Sequence, residues 1–380
     1  MSAFALTEEQ LEFADHVRDV ATSKLSSLAH HGSAGSVNRP LLKAMGDHGL
    51  LRRLFAGDER SKSRAAAAFD LCLMRETLAT VSTESETTLA LQGLGSYPFL
   101  LFGNEATIER WRPQVVSGEA VAAFALSEPD AGSDAGALQL RAEPDGNGWR
   151  LHGEKTWISN APEADVYSVF ARTTPSAGAR GVTAFLVAGD SPGLGGEHID
   201  LLSPHPIGRL MFDGVRVGAD DVLGDIDGGF KVAMRTLDLF RPSVGAFAVG
   251  MAQAALDLTI AHTKQRQAFG GPLSAQQAVS HLLADMATRL EASRLLVYAA
   301  AAAYDAGAEP AEITRRSAMA KLYATESAQF IVDAAMQLHG ARALQRGHLL
   351  EHLYREVRAP RIYEGASEVQ RTIIGRSLTS

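Results

Sequence analysis

The chain has 380 residues and sets 36 basic against 44 acidic side chains, a formal charge of −8, which is too acidic for a nucleic-acid binder working by general phosphate attraction. Its hydrophobic content of 46% supplies a large core for roughly two or three domains and argues against disorder. The longest nearly apolar run, Leu295–Tyr304, is about half the ~20 residues of a membrane helix, so no span is expected.

Nothing before Thr7 combines a basic segment with an apolar core, so no secretion signal is read. The single Cys72 supports neither an internal disulfide framework nor a Cys-rich zinc site, which points to the cytoplasm. From Leu6 to about Gly118 the periodicity is helical. Thr7 with Gln10 forms a capping box, and Leu11, Phe13, Val17 and Val20 supply the apolar face behind it. Pro40 suits the first turn of a second helix that ends across Gly46–Gly49. Helical runs over Ala65–Leu78 and Thr87–Phe102 follow. Between Ala120 and Leu223 the texture turns to β, with Asp145-Gly-Asn-Gly148 as a hairpin turn and branched stretches at Trp149–His152 and Gly181–Val187. After Gly228 the helical period returns over 230–262, 275–305 and 311–340. The domains are therefore expected at 1–119 (helical), 120–225 (β) and 226–380 (helical).

Four segments combine residues suited to chemistry, and each also has an ordinary explanation. Phe124–Asp134 ends an apolar strand in a loop of hydroxyls, acids and glycine that could grip a polar ring or phosphate, or be a plain surface turn. Lys155–Asn160 sets an aromatic and small polar residues on a strand, suited to a flat heterocycle or to a half-buried sheet. Arg266–Gly270 closes a long helix with Gln277 one turn into the next, and an arginine there complements the helix dipole in any case. Arg361–Gly365 places Glu364 beside a glycine ahead of the last helix, where most acids are simply solvated. Twelve histidines show no metal-ligand spacing, so no metal is expected. No Gly-x-Gly-x-x-Gly follows a strand, which removes a Rossmann nucleotide site.

Taken together, in this order and at these distances, the four segments resemble the acyl-CoA dehydrogenases, flavoenzymes that desaturate acyl thioesters. The resemblance extends through Val215–Val217, Val222–Gly224, Gly228–Phe230, Leu237–Arg241, Gln337–Gly340 and Tyr354-Arg355, nearly the whole chain. It implies an α+β fold: an N-terminal helical domain, a middle barrel-like β-sheet domain and a C-terminal four-helix bundle. It further implies FAD, with Phe124, Leu126, Ser127, Trp157 and Ser159 around the isoalloxazine. Arg266, Phe269, Gln277, Gln337, Gly340 and Ala341 would meet the diphosphate and adenosine across a subunit interface, hence a homotetramer. Ser133, Arg241, Tyr363 and Gly365 would line the thioester and CoA channel, and Ala90, Leu91 and Leu94 the floor of an aliphatic acyl pocket. Glu364 matches the catalytic base. A second subgroup carries its base just before the arginine matched by Arg241, and here that position is Phe240.

The sequence also departs from the family. Phe55–Arg60 replaces the usual Pro-Glu-x-Tyr-Gly-Gly, and the loop Leu201–Ile207 lacks the family pattern at the CoA entrance. Ala341, Ala343 and Ala366 stand for two glycines and a hydroxyl residue, which predicts a weaker hold on the cofactor.

The implied reaction takes a proton from the α-carbon and a hydride from the β-carbon. No side chain accepts a hydride, so a redox cofactor is required. Glu364 would take the proton, the flavin N5 the hydride, and an electron-transfer flavoprotein or other acceptor would reoxidise the flavin, giving a trans-2-enoyl thioester. Rival readings are the same chemistry on an acyl-carrier-protein thioester, a flavin oxidase or oxygenase on the same fold, and an inactive helical scaffold without flavin. Neither a nucleic-acid nor a membrane partner is expected.

Overall fold

The computed structural model describes residues 6–55, 67–203 and 205–379. Most of the divergent stretch Phe55–Arg60, the first two residues of the expected helix Ala65–Leu78, and Pro204 in the entrance loop lie outside the described residues.

Among the described residues, seven α-helices come first: α1 Glu8–Val20, α2 Ser26–His30, α3 Arg39–Asp47, α4 Leu50–Phe55, α5 Ala68–Val81, α6 Thr83–Phe102 and α7 Glu105–Ser117. Eight strands follow: β1 Ala122–Ala125, β2 Arg141–Asp145, β3 Gly148–Ser159, β4 Val166–Arg172, β5 Val182–Ala188, β6 Leu194–His198, β7 Ile207–Gly218 and β8 Val222–Leu223. The last part holds α8 Gly229–Gln265, the small hairpin β9 Gln267–Ala268 and β10 Gly271–Pro272, then α9 Gln277–Asp305, α10 Pro310–His339, α11 Leu349–Glu356 and α12 Ser367–Thr379. The helix, sheet, helix order is the expected one.

Local sequence accounts for many boundaries. The Thr7/Gln10 capping box is formed. The face α1 buries is Ala14, Val17 and Val20, whereas Leu11, expected on that face, is 51% exposed and Phe13 only half-buried. The small Ala14 sits one turn before Val17 and takes the place assigned to the larger residues. Pro40 falls in the first turn of α3, and Asn38 caps it by accepting from Leu41 N at 3.0 Å. No side chain of its own caps α5, and Asp305 at the end of α9 accepts from its first amides, Ala68 N (2.6 Å) and Phe69 N (3.0 Å). α6 begins one turn earlier than expected, at Thr83.

The described residues form two compact units. One holds 6–22, 67–86 and 238–379, the other 23–55, 87–203 and 205–237. In the first, the alanine-rich helices α9 and α10 pack along each other, with α5 on α9 and α12 on α10. Arg294 of α9 bonds Glu76 of α5 at 2.8 Å, and Tyr298 donates to the same carboxylate at 2.8 Å. Gly245 lets α8 approach α9, since a Cβ there would stand 2.7 Å from Val297. α8 is long and apolar enough to cross a membrane, although 72% of its most apolar stretch is buried inside the protein, as in a core helix. Scattered polar residues such as Gln253 and Thr259 interrupt its apolar run, so no long uninterrupted apolar stretch marks it in the sequence.

In the second unit the sheet runs β6-β7-β3-β2-β4-β5-β8, with β1 added in parallel beside β4. The β2–β3 hairpin pairs Asp145 with Gly148 across Gly146-Asn147, and Gly146 supplies φ 64. β4 is buried along nearly its whole length, and Phe124 of β1 packs on Phe170 at 4.9 Å. Gln92 of α6 ties helices to sheet: its amide donates to Val115 O (3.1 Å) and Ala120 O (2.8 Å), and its carbonyl accepts from Ala122 N (3.0 Å). Gly95, one turn on, permits this approach, because a Cβ there would lie 2.8 Å from Ala122 O and collide with the β1 backbone.

Gly95→Val should therefore lower stability by about 1–3 kcal/mol in urea unfolding, the cost of overpacking. Gly195→Ala, where nothing lies within 4 Å, should stay within about 0.5 kcal/mol. Equal midpoints for the two variants would show that the α6–β1 approach is not a tight constraint.

Candidate active site

In the sheet-containing unit, the structure brings together two of the segments singled out in the sequence. Leu126 and Ser127 follow β1, and Ser127 O accepts from Thr156 N of β3 at 3.0 Å. Lys155, wholly buried, donates to Leu126 O and to Glu128 Oε1, both at 2.8 Å. Glu128 in turn accepts from Leu140 N at 2.8 Å and, over a shorter bond, from Gln139 N. Burial lowers the Lys155 ammonium to about 8, against the pull of Glu128 in the other direction. The strand is irregular between Lys155 and Ile158, and Trp157 sits there at φ 59 with 54% of its surface exposed. A large indole held outward on a β-irregularity is a ready stacking face. Ser159 ends the strand, half-buried, and Ser133 is exposed in the loop after Glu128. On α6, Ala90 is buried while Leu91 and Leu94 are half-buried.

The helical unit holds Glu364. It follows a 3-10 turn, Ala359–Arg361, and precedes α12. Glu364 has φ 49 and Gly365 φ 92, so two consecutive residues are left-handed, which glycine adopts freely and glutamate does not. A Cβ on Gly365 would run into the Gln370 amide. Although Glu364 as a residue keeps partial exposure, its Oε2 is sealed from solvent and has no hydrogen-bond partner.

Charged groups surround that carboxylate. Arg75 of α5, itself buried, bonds the buried Glu86 of α6 through Nε and Ser243 Oγ of α8 through Nη1 at 2.7 Å. Lys321 of α10 donates to Tyr363 O (3.0 Å) and Gly365 O (2.6 Å). Arg241 bonds Asp238 at 2.9 Å, and its Nε is buried without a partner. Burial pushes the Glu364 carboxyl above the usual range, while Arg75, Lys321 and Arg241 favour its charged form. Tyr363 is driven well above the ordinary tyrosine range by burial and Glu86. Phe240, at the alternative base position, is fully buried.

At another part of this unit, α8 ends at Gln265 and the β9–β10 hairpin carries Phe269 at φ 52, 90% exposed. His262 near the end of α8 stacks on His339 at the end of α10, with centroids 4.0 Å apart. Their stacking brings the segment of Arg266 beside that of Gln337 and Gly340. Arg266, Gln277, Gln337, Gly340 and Ala341 are all exposed, and a Cβ at Gly340 would meet nothing within 4 Å. His339 Nε2 is buried and unpartnered. Its proton affinity drops to about 4, through burial and the neighbouring His262, His348 and Arg342. Exposed aromatic and amide groups with a cation, over open backbone, fit a nucleotide cofactor. Ala343 is fully buried, so its methyl lies inside the protein, whereas that of Ala341 does not.

Sequence reasoning missed Arg75, Lys321, Ser243 and Gln370, and treated Lys155 only as part of a strand. A signal existed for the cations. Lys321 falls on the buried stripe Ser317, Ala318, Ala324, Thr325, Ala328, and Arg75 among Leu71, Cys72 and Leu78. A charge at such a position is rarely buried without a specific partner.

Lys155→Met strands Glu128 as an unpaired buried charge and should cost about 3–5 kcal/mol. The unfolded lysine holds its proton to about 10.5 and the folded one only to about 8. Between those values the unfolded chain binds more protons, so wild-type stability should gain from this group as pH rises from 8 to 10.5. Urea midpoints across that window test it: Lys155→Met should lose this share of the rise, and an identical slope would contradict the assignment.

Known proteins resemble the chain over nearly its whole length. Residues 7–119 match the acyl-CoA dehydrogenase N-terminal domain, 123–215 the middle domain and 227–379 the C-terminal domain. Cyclohexane-1-carbonyl-CoA dehydrogenase of Geobacter metallireducens is 34% identical over 379 residues, covering 99% of this chain and 98% of that one. The structure of butyryl-CoA dehydrogenase from Megasphaera elsdenii superposes with a TM-score of 0.92 at 32% identity, over 99% of this chain and 100% of the other. That of PigA with FAD and proline does so with a TM-score of 0.92 at 28% identity, over 99% of each chain. The chain belongs to the acyl-CoA dehydrogenase family of flavoprotein oxidoreductases.

Proposed function

We propose that this protein dehydrogenates an acyl thioester, acyl-CoA to trans-2-enoyl-CoA, as a cytoplasmic FAD enzyme with Glu364 as the α-proton base. The observation that carries the reading is the Glu364 Oε2, buried, unpartnered and presented from a left-handed turn. Backbone strain of this kind persists only where the surroundings hold it, and it clusters at functional sites.

A base for this step must be ionised before it acts and must then hold the proton it takes. Burial raises the proton affinity of Glu364 above the ordinary carboxylate range, and Arg75, Lys321 and Arg241 oppose that rise by favouring the charged form. The Glu364 backbone N–H would polarise the thioester carbonyl and so acidify the α-proton. FAD, when bound, supplies the hydride acceptor that no side chain can. Phe124, Leu126, Ser127, Trp157 and Ser159 would hold its ring. Arg266, Phe269, Gln277, Gln337, Gly340 and Ala341 would hold the diphosphate and adenosine of a neighbouring chain's cofactor in a homotetramer. Ser133, Arg241, Tyr363 and Gly365 would position the thioester, with Ala90, Leu91 and Leu94 under an aliphatic tail. An electron-transfer flavoprotein fits as the oxidant. The domain limits at 119/120 and 225/226 belong to the same reading.

Glu364→Gln should retain FAD but slow anaerobic flavin bleaching by an acyl-CoA about 10²–10⁴-fold. Burial makes the folded state hold this proton more tightly than the unfolded chain. The group's contribution to stability therefore declines as pH rises above about 4.5, read as the difference in pH dependence of the urea midpoint between wild type and Glu364→Gln. Bleaching at the wild-type rate would remove Glu364 from the mechanism. Arg266→Ala should loosen FAD by roughly 1.5–3 kcal/mol without altering the fold, read as flavin remaining after dialysis. Unchanged flavin content would reduce Arg266 to a helix-end cation.

A further inference from the structure

Glu364 sits in a conformation that a residue with a Cβ does not hold unaided. At φ 49 followed by φ 92, the turn 363–365 would relax to right-handed or extended backbone unless its polar groups were fixed. All three of its carbonyls are taken. Lys321 Nζ donates to Tyr363 O at 3.0 Å and Gly365 O at 2.6 Å, the carbonyls immediately before and after Glu364. The Gln370 amide, from α12, donates to Glu364 O at 3.3 Å and Gly365 O at 2.8 Å. Both donors are fully buried, so neither bond has water competing for it.

Two neutral carbonyls do not by themselves call for an ammonium. Taking a lysine wholly out of water is costly unless something answers its charge. Glu364 heads the groups that do so, with Glu326 of α10 and Glu368 of α12 behind it, while Arg241 of α8 opposes them. On the other side, the cations facing the Glu364 carboxylate are Arg75 from α5, Arg241 from α8 and Lys321 from α10. Of these three, Lys321 is the one that also bonds the backbone on both sides of Glu364.

We infer that Lys321 is the positioning residue for Glu364, fixing the turn through its two flanking carbonyls and setting a positive charge beside the carboxylate, with Gln370 as the second arm of the clamp. The inference rests on the reading of Glu364 as the base. Its two effects separate by substitution. Lys321→Gln keeps a donor but no charge, Lys321→Arg keeps the charge, and Gln370→Met removes the second arm together with an acceptor, Gln370 Oε1, that is buried and unpartnered.

The test follows single-turnover flavin bleaching by a short straight-chain acyl-CoA against pH, with FAD content and substrate dissociation constant measured alongside. Lys321→Gln should keep FAD and substrate affinity but lower the limiting rate about 10–100-fold, the scale of a misplaced catalytic group. Loss of a neighbouring cation favours the protonated carboxyl, so its acid limb should move up by about one pH unit. Lys321→Arg should return the limb toward wild type, and Gln370→Met should lower the limiting rate without moving it. A merely structural lysine predicts no change in the limb, and a Lys321→Gln enzyme with wild-type rate and pH profile overturns the proposal. Should that variant not fold, a Gln370→Met enzyme that folds and bleaches at the wild-type rate overturns it equally. Glu364→Gln, measured beside them, separates the two failures. If it too is fully active, the base reading falls; if it is inactive while the clamp variants behave as wild type, only the clamp falls.

Discussion

A lysine ammonium removed from water must have its protons accepted and its charge answered, and each compact unit of this protein places one at a turn of the candidate site. Lys155 holds the loop after β1 through Leu126 O and Glu128, and Lys321 holds the turn at Glu364 through Tyr363 O and Gly365 O. In both cases burial drives the ammonium down to about 8. Each lysine remains charged at neutral pH because carboxylates face it. In each loop a fully buried donor thus holds backbone carbonyls, Leu126 O in one and Tyr363 O and Gly365 O in the other.

The same constraint governs the chemistry. A carboxylate in an apolar site would be protonated and useless as a base, and one in a strong ion pair would be too weak to take a proton from carbon. Glu364 lies between those limits: burial raises its proton affinity, cations on three helices lower it, and its Oε2 is committed to none of them. Arg75 is restrained by its own bonds to Glu86 and Ser243, so its charge acts on Glu364 while its geometry is fixed elsewhere. Buried pairs of this kind are poor sources of net stability, and breaking one by removing a partner is expensive. Their presence is better explained by the site than by the fold.

Much of this was legible in the amino-acid order. The capping box at Thr7, the Gly146-Asn147 turn and the acid-glycine pair before α12 each follow from short-range chemistry that the sequence states directly, whereas Gln277, expected one turn inside its helix, is the first residue of α9. Glu364 itself was legible only through family resemblance, since an acid beside glycine is ordinarily solvated. What the sequence did not disclose were long-range partners. Lys321 lies 42 residues from Tyr363, and Arg75 lies 168 from Ser243; no local pattern pairs them. The face of α1 was misread for a related reason. Its apolar period admits both Leu11 and Ala14, and only packing against α5 decides which is covered.

The central claim is that Glu364 moves the α-proton, and the most direct measurement isolates that step from hydride transfer. The FAD-loaded protein, incubated with an acyl-CoA in D₂O, should wash deuterium into the carbon next to the thioester, followed by mass spectrometry of recovered substrate. Wild-type protein is predicted to exchange, and Glu364→Gln with the same FAD content is predicted to exchange no faster than buffer. Exchange by Glu364→Gln at the wild-type rate would contradict the account, because another group would then be taking the proton.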